Sequence, residues 1–467
     1  MLRLDGVSGR RYLVLGLGRS GRATITALQE SGAFASGWDD DAEARRQAEQ
    51  DGIGLTCPES GNLDQFHTLV VSPGVPVLYP GPGRTVALAL AAGLNLTNDI
   101  GLFFSSMGEG QPRPKPGIVA VTGSNGKSTT SALIHHLLLS TGATAELAGN
   151  IGKPVLEMES GSDFVVLEIS SYQADLAHRL KPDVAVFLNF SPDHIDRHGG
   201  VGGYFAAKQR LFDTRSLATA VIGTDEKEGS YLASWVGSRA GACDIISLSS
   251  SLPHGAGRHA VIGECSFAEY LQGARVRTTQ LEGCPNLQGR HNAQNSAAAC
   301  LACQGLGVTI DDPEPALKTF PGLPHRMQVL GEFGGVLWVN DSKATNCESV
   351  AMALSSFRRI RWLAGGQAKD GGVSALVGTK SLANVEKAYL IGASAPEFAM
   401  QLRGLDHVIS GDLESAVRAA ISDSAPGDTI LLSPAAASFD QYADFEARGA
   451  HFMRLLTELS PWKGAAP

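Results

Sequence analysis

The segment Gly123-Ser124-Asn125-Gly126-Lys127-Ser128-Thr129 places two glycines, a lysine and hydroxyl side chains in one short run. Amides of such a loop can cradle phosphate oxygens, the lysine can reach terminal phosphates, and a serine hydroxyl can ligate Mg²⁺. The run is shorter than the common G-x-x-x-x-G-K-[ST] form, with Val121 standing where that form has its first glycine. The residue types and their order still predict ATP or GTP as the hydrolysed partner. Glu168 ends the apolar run Val165-Val166-Leu167. There a carboxylate with Ser128 suits Mg²⁺, with simple solvation as the alternative. Asn189 to His198 carries Asp193, His194, Asp196 and His198. That cluster offers metal and phosphate ligands beside the loop, a hydrolase-type metal site, or ordinary surface polarity. Lys208, in Tyr204-Phe205-Ala206-Ala207-Lys208, reads from composition as an exposed helix lysine.

A second glycine-rich loop lies near the N-terminus. Gly16, Gly18 and Gly21 follow an apolar run, and Asp39 stands eighteen residues beyond Gly21. By spacing this is a dinucleotide fingerprint, which leaves NAD or FAD, another diphosphate-bearing ligand and a structural turn open. Cys300 and Cys303 have C-x-x-C spacing, but they sit in the alanine-rich run Asn295 to Leu306, which reads as a packed helix.

These loops need strands before them and helices after them. Arg11 to Leu15 reads as a buried strand, a helical segment runs through Gln29, and a second strand ends near Trp38-Asp39-Asp40. Leu69 to Pro73 and Thr85 to Ala92 add a strand and a helix. A second unit opens with the strand Ile118 to Val121, the phosphate loop and a helix over Ser128 to Leu139, with strands at Phe164 to Ile169 and Val184 to Asn189. Arg215 to Thr279 reads only as sheet-rich periphery. Further strands near Val336, Ile360, Ala388 and Thr429 alternate with helical segments. The pattern predicts three α/β domains: a Rossmann-like domain over 1–98, a central P-loop ATPase sheet domain over 99–323, and a C-terminal Rossmann-like domain over 324–467.

Composition agrees with that class. The chain has 467 residues, 43% hydrophobic and 18% charged, with a net charge of −9. Such a length fits several domains. No dense basic face for nucleic acid is evident, and no apolar run suits a membrane span. The seven cysteines form no paired framework, so a reduced, cytoplasmic setting is expected.

Gly123–Thr129, Leu167–Gln173, Asn189–His198, Tyr204–Phe212, Gly289–Asn295, His325–Gln328, Asn340–Asn346 and Leu431–Tyr442 form an ordered series spanning all three units. The series closely resembles the Mur ligase family, in particular the branch that adds D-glutamate to UDP-N-acetylmuramoyl-L-alanine in peptidoglycan precursor synthesis. The resemblance implies an N-terminal domain for the UDP-linked substrate, which replaces the NAD reading of the first loop. Gly16, Gly18 and Gly21 would face the UDP diphosphate, with Asp39, Asp40, Ser72 and Gly74 in the same pocket. Relatives often have threonine where Asp40 stands. Asn150 and Gln173 are implied near the muramoyl part.

The resemblance further implies that Gly123, Ser124, Asn125, Gly126, Lys127, Ser128 and Thr129 bind ATP, with Asn295 at the base, Arg326 at the phosphates and Asp341 at the ribose. Two Mg²⁺ ions are implied, Ser128 and Glu168 on the first, His194 and a side-chain-carbamylated Lys208 on the second. Lys127, Lys208 and His194 form the implied catalytic set. Lys343, Thr345, Lys369, Ser438, Phe439 and Phe445 are implied around D-glutamate. Asp370 follows Lys369 where relatives often have glycine. A monomer acting on small molecules is expected. Rival readings are a folylpolyglutamate synthase, a diaminopimelate-adding ligase, or a nucleotide-gated switch that consumes no amino acid.

Overall fold

The computed structural model describes residues 2–60, 62–107, 117–193, 195–239, 243–251, 257–369 and 371–459. By its internal contacts the chain forms two compact units, one of residues 1–282 and 290–318, the other of 283–289 and 319–467. The first unit contains two sheets and the second holds one large sheet. The short segment 283–289 thus goes with the C-terminal unit.

The N-terminal sheet consists of β1 (Arg11–Leu15), β2 (Phe34–Trp38), β3 (Thr68–Val71) and β4 (Asn95–Thr97) in the order β2-β1-β3-β4. All its pairings are parallel. Leu13, Val14 and Leu15 are buried, as expected of a parallel strand covered on both faces. The helix Arg19–Glu30 follows β1 directly, and its N-cap is Gly18. Because β2 and β3 flank β1 on opposite sides, the loop after β1 lies at a switch point, where open α/β sheets hold ligands.

The nine-stranded sheet is built from β5 (Gly117–Thr122), β6 (Ala145–Gly149), β7 (Phe164–Glu168), β8 (Val184–Phe187), β9 (Thr219–Gly223), β10 (Asp244–Ser249), β11 (Arg258–Ile262), β12 (Ser266–Leu271) and β13 (Ala274–Gln280). The order is β13-β12-β11-β10-β9-β8-β5-β7-β6. Only β11-β12 and β12-β13 pair antiparallel. The stretch read as sheet-rich periphery therefore extends the central sheet. Strand β5 lies between β7 and β8, with Val121 opposite Glu168 and Thr122 opposite Phe187. Their carboxyl ends open side by side, so residues far apart in sequence converge there.

The C-terminal unit contains β14 (Gln328–Phe333), β15 (Val336–Asn340), β16 (Ile360–Gly365), β17 (Gln367–Ala368), β18 (Val385–Ile391), β19 (His407–Gly411), β20 (Thr429–Leu432) and β21 (Ala436–Ala437). Its main sheet runs β14-β15-β20-β16-β18-β19, while β17 and β21 form a separate antiparallel pair. Trp362, Leu390 and Leu431 are fully buried on one side of the sheet, and Trp338, Tyr389 and Ile430 on the other. Among the described residues, no helix is long and apolar enough to cross a membrane.

Candidate active site

The phosphate loop joins β5 to the helix Lys127–Ser140. Gly123 and Gly126 adopt left-handed backbone angles, φ +148° and +83°. At Gly126 a Cβ would lie 2.3 Å from Asn295 Oδ1, so only glycine fits that turn. Asn295 is buried, accepts from Thr130 Oγ1 at 3.2 Å and donates to Asn292 Oδ1 at 3.1 Å. It stands directly behind the loop.

The loop is clamped from the end of β8. Asn125 N donates to Asn189 Oδ1 at 2.8 Å, and Asn189 Nδ2 returns a bond to Asn125 O at 3.2 Å. Ser124 Oγ donates to Ser191 O and accepts from Ser191 N, both at 2.9 Å. Lys127 Nζ donates to Gly123 O at 2.9 Å and to Ser124 O at 2.8 Å, so the cation is stationed at the loop itself. Ser128 and Thr129 are buried in the first turn of the helix.

Lys208 is not the exposed helix lysine that composition suggests. It is 1% exposed and donates to Gly123 O at 2.7 Å. Tyr204, one helical turn earlier, presents its ring 4.4 Å from Lys208 Nζ. The helix turns this face inward, which a composition argument cannot see. Burial holds the Lys208 ammonium well below its ordinary pKa, Lys127 adds to this, and the charges of Asp193 and Glu168 oppose it.

Glu168 at the end of β7 is 1% exposed. Its Oε1 accepts from Asn150 Nδ2 at 2.7 Å, while its Oε2 has no hydrogen-bond partner. Leaving a buried carboxylate oxygen unmatched is costly, and a hard cation beside Ser128 meets that need. The oxygen chemistry therefore fits Mg²⁺. Among the described residues no three His, Cys, Asp or Glu side chains form a metal cluster by themselves. His194 lies outside the described residues, as does Asp370.

At the first loop, Gly16 has φ +94° and a Cβ there would meet Ser72 Cβ at 2.6 Å. A Cβ on Gly21 would sit 1.8 Å from Gly16 O. Gly18 has open space around it. Asp39 accepts from Leu17 N at 2.7 Å and Asp41 N at 2.9 Å, which makes it a brace for the glycine loop. Ser72 Oγ donates to Gly16 O at 3.0 Å. Asp40 and Gly74 are exposed. Gln173 is buried, and its Oε1 completes a capping box with Ser170.

In the C-terminal unit, Asp341 is buried, accepting from Met327 N at 3.1 Å and Ser433 Oγ at 2.9 Å. Burial pushes its carboxyl up to about 7 against those bonds and the Arg326 charge. Arg326 Nε is buried without a hydrogen-bond partner. Lys343 Nζ lies 5.3 Å from the centroid of the Phe445 ring, and Thr345 N donates to Lys343 O at 2.9 Å. Ser438 is buried, whereas Phe439 and Lys369 are exposed.

Tyr204 and Arg448 carried no assigned role in the sequence. Arg448 is 1% exposed, and its Nε and Nη2 donate to Ser342 Oγ and Ser342 O at 3.0 and 2.9 Å. It thereby fixes the turn that carries Lys343. Its place three residues after Phe445, on the inner side of the helix Phe445–Leu459, was the available signal.

Models of the Mur ligase middle domain and of the Mur ligase glutamate ligase domain match residues 121–303 and 325–436. The UDP-N-acetylmuramoylalanine--D-glutamate ligase of Dinoroseobacter shibae is 50% identical over 461 residues, covering 97% of this chain and 98% of that protein. The protein of that name from Cereibacter sphaeroides is 49% identical over 470 residues, covering 98% and 100%. Among solved structures, the MurF ligase of Thermotoga maritima in complex with ADP matches with a TM-score of 0.59 at 19% identity, covering 98% of each chain. The UDP-N-acetylmuramoylalanyl-D-glutamyl-2,6-diaminopimelate--D-alanyl-D-alanyl ligase from Acinetobacter baumannii matches at 0.56 and 17%, covering 79% of this chain and 87% of that one. At such identities these structures speak for the fold.

Proposed function

The chain belongs to the Mur ligase family, and from that premise we propose that it joins D-glutamate to UDP-N-acetylmuramoyl-L-alanine, with ATP converted to ADP and phosphate, in peptidoglycan precursor synthesis. The reading is supported by near full-length relatives of that name at about half identity. The single structural observation that carries it is the convergence of Lys127 and Lys208 on Gly123 O, with the unmatched Glu168 oxygen at the end of the neighbouring strand.

A carboxylate is a poor acyl donor. The γ-phosphoryl group is therefore transferred to the alanyl carboxylate, the O–P bond to ADP breaks, and an acyl phosphate results. The D-glutamate amine then attacks the acyl carbon, the amide bond forms and phosphate leaves. Lys127, already at the loop, stabilises the charge that builds on the transferring oxygens. Ser128 and Glu168 would hold one Mg²⁺, and His194 with carbamylated Lys208 a second, and the ions would supply further charge neutralisation.

The buried Lys208 amine suits its modification. A neutral amine attacks CO₂, the new N–C bond forms, and one proton leaves to water. The product is an anionic oxygen ligand that keeps one N–H for Gly123 O. Asn150, bonded to Glu168, is assigned to the muramoyl-alanyl end, and Gln173 helps to shape the wall there. Gly16, Gly18, Gly21, Ser72 and Gly74 are assigned to the UDP diphosphate, with Asp39 and Asp40 toward the uracil. Asn295, Arg326 and Asp341 serve ATP. Lys343, Thr345, Lys369, Ser438, Phe439 and Phe445 serve D-glutamate, the lysines pairing with its carboxylates. The working form is assigned as a cytoplasmic monomer.

Phosphate release measured with ATP and each substrate in turn tests this reading. It is expected only when UDP-muramoyl-alanine and D-glutamate are both present. Equal release without the amino acid would favour a nucleotide switch.

A further inference from the structure

The loop after β3 and the turn after the helix Ile195–His198 lie in the same compact unit and meet at two points. Arg197 Nη1 donates to Gly74 O at 3.2 Å. The ring of Tyr79 covers Gly199, where an added Cβ would come within 2.5 Å of Tyr79 Cζ and φ is +66°. Arg197 is itself held from the side, its guanidinium 4.8 Å from the centroid of the Tyr172 ring. His198 stacks on Tyr172 at 5.3 Å with an interplanar angle of 7°, and its Nε2 lies 3.0 Å from Ser171 Oγ.

The other end of this segment is tied to the phosphate loop through the paired bonds between Ser191 and Ser124. The loop after β3 is tied in turn to the first glycine loop by Ser72 Oγ on Gly16 O. Ser191, bonded to the phosphate loop, and Arg197, bonded to the loop after β3, thus stand only a few residues apart in sequence. Each loop belongs to a different sheet of the unit.

We infer that Arg197 is a positioning residue: together with Tyr79 on Gly199 it fixes the span between the first glycine loop and the phosphate loop, and so selects an acceptor of matching length. The inference rests on the acceptor assignment made above. An acceptor anchored by its diphosphate at the first loop must present its carboxylate at the second, and a small error in that span carries a large rate penalty. Arg197 acts through Gly74 and Tyr172, so its loss alters the acceptor's placement while leaving the phosphate loop and its lysines in place.

Steady-state kinetics on the full chain decide the matter, using Arg197→Ala, Arg197→Lys, Gly199→Ala, Tyr79→Ala and the pair Gly199→Ala with Tyr79→Ala. Arg197→Ala is expected to raise the acceptor KM about tenfold while the KM for ATP and D-glutamate stays within about twofold. Arg197→Lys recovers part of the loss. Gly199→Ala and Tyr79→Ala each show the same signature, and the pair does not return to wild type, because the contact is lost and Ala in place of Gly199 stays strained at φ +66°. Equal losses for all three substrates, or an unchanged acceptor KM in Arg197→Ala, would overturn the inference. If Gly199→Ala fails to fold, the Arg197 pair carries the decision. A wild-type enzyme without acceptor-dependent phosphate release would refute the acceptor assignment instead, which keeps the two failures apart.

Discussion

At the scale of single residues, three buried ionisable groups sit in environments that disfavour their ordinary charge state or leave it unmatched. Lys208 is buried beside another lysine, Glu168 lacks a partner for one oxygen, and burial pushes Asp341 up to about 7. The unmatched Glu168 oxygen suits a cation, and the neutral Lys208 amine suits the proposed carbamylation. Lys208→Ala should lose most ligase activity while ATP titration still shows binding, and a short-chain carboxylic acid should restore part of the turnover. Unchanged turnover in that variant would remove the carbamate from the account. Asp341 carries a separate pH dependence. A carboxyl raised in the folded state binds more protons than the unfolded chain between its ordinary value near 3.8 and about 7. Its contribution to stability is therefore present below that window and is lost as pH rises through it. Asp341→Asn should flatten the melting temperature against pH over that window and raise it by several degrees at pH 8, while ATP affinity falls. A melting curve with unchanged pH dependence would contradict this.

At the scale of elements, function depends on close approach to a glycine at two turns, by the Gly16 carbonyl at one and the Asn295 side chain at the other. Gly21→Ala would drive a methyl to 1.8 Å from Gly16 O, and Gly126→Ala would place one 2.3 Å from Asn295 Oδ1. Titration calorimetry should find that the first weakens the UDP-linked acceptor about tenfold or more and spares ATP, and that the second does the reverse. The packed helix Arg290–Gly305 gives a further check. Burial pushes the Cys300 thiol up to about 12, and Cys303 lies well above its ordinary value. Iodoacetamide at pH 8 should leave both unmodified in the native protein by mass spectrometry, and label them once it is unfolded. Much of this level was legible beforehand. The strands ending at Leu15, Glu168 and Leu432 are apolar runs closed by polar turns, and both glycine loops announce themselves by spacing. Strands β9 to β13 were legible only as periphery, because the apolar runs there are short and broken by turns. Composition alone misplaced Lys208 at the surface, because inward orientation on the helix Val201–Gln209 depends on tertiary packing, with Tyr204 and Phe212 also buried. Arg448 escaped notice for a similar reason: Ser342, which accepts from its Nε and Nη2, lies 106 residues away in sequence.

At the scale of the molecule, the chemistry is spread over three sheets in two units, and the ordered motif series runs through all of them. Residues assigned to the UDP-linked acceptor lie in the first unit, and those assigned to D-glutamate in the second. Calorimetric melting should reflect that division. Acceptor at about one hundred times its Kd should raise the transition of the first unit by a few degrees, the equivalent of about 2.7 kcal/mol, and leave any separate second transition in place. This scaffold is proposed to consume D-glutamate in particular. The most direct test is an amino-acid screen of ATP turnover with UDP-muramoyl-alanine as acceptor. Phosphate release with D-glutamate is expected far above that with L-glutamate, D-aspartate or diaminopimelate, matched by one amide product per ADP. Equal turnover across the panel, or release of phosphate with no amide formed, would contradict it.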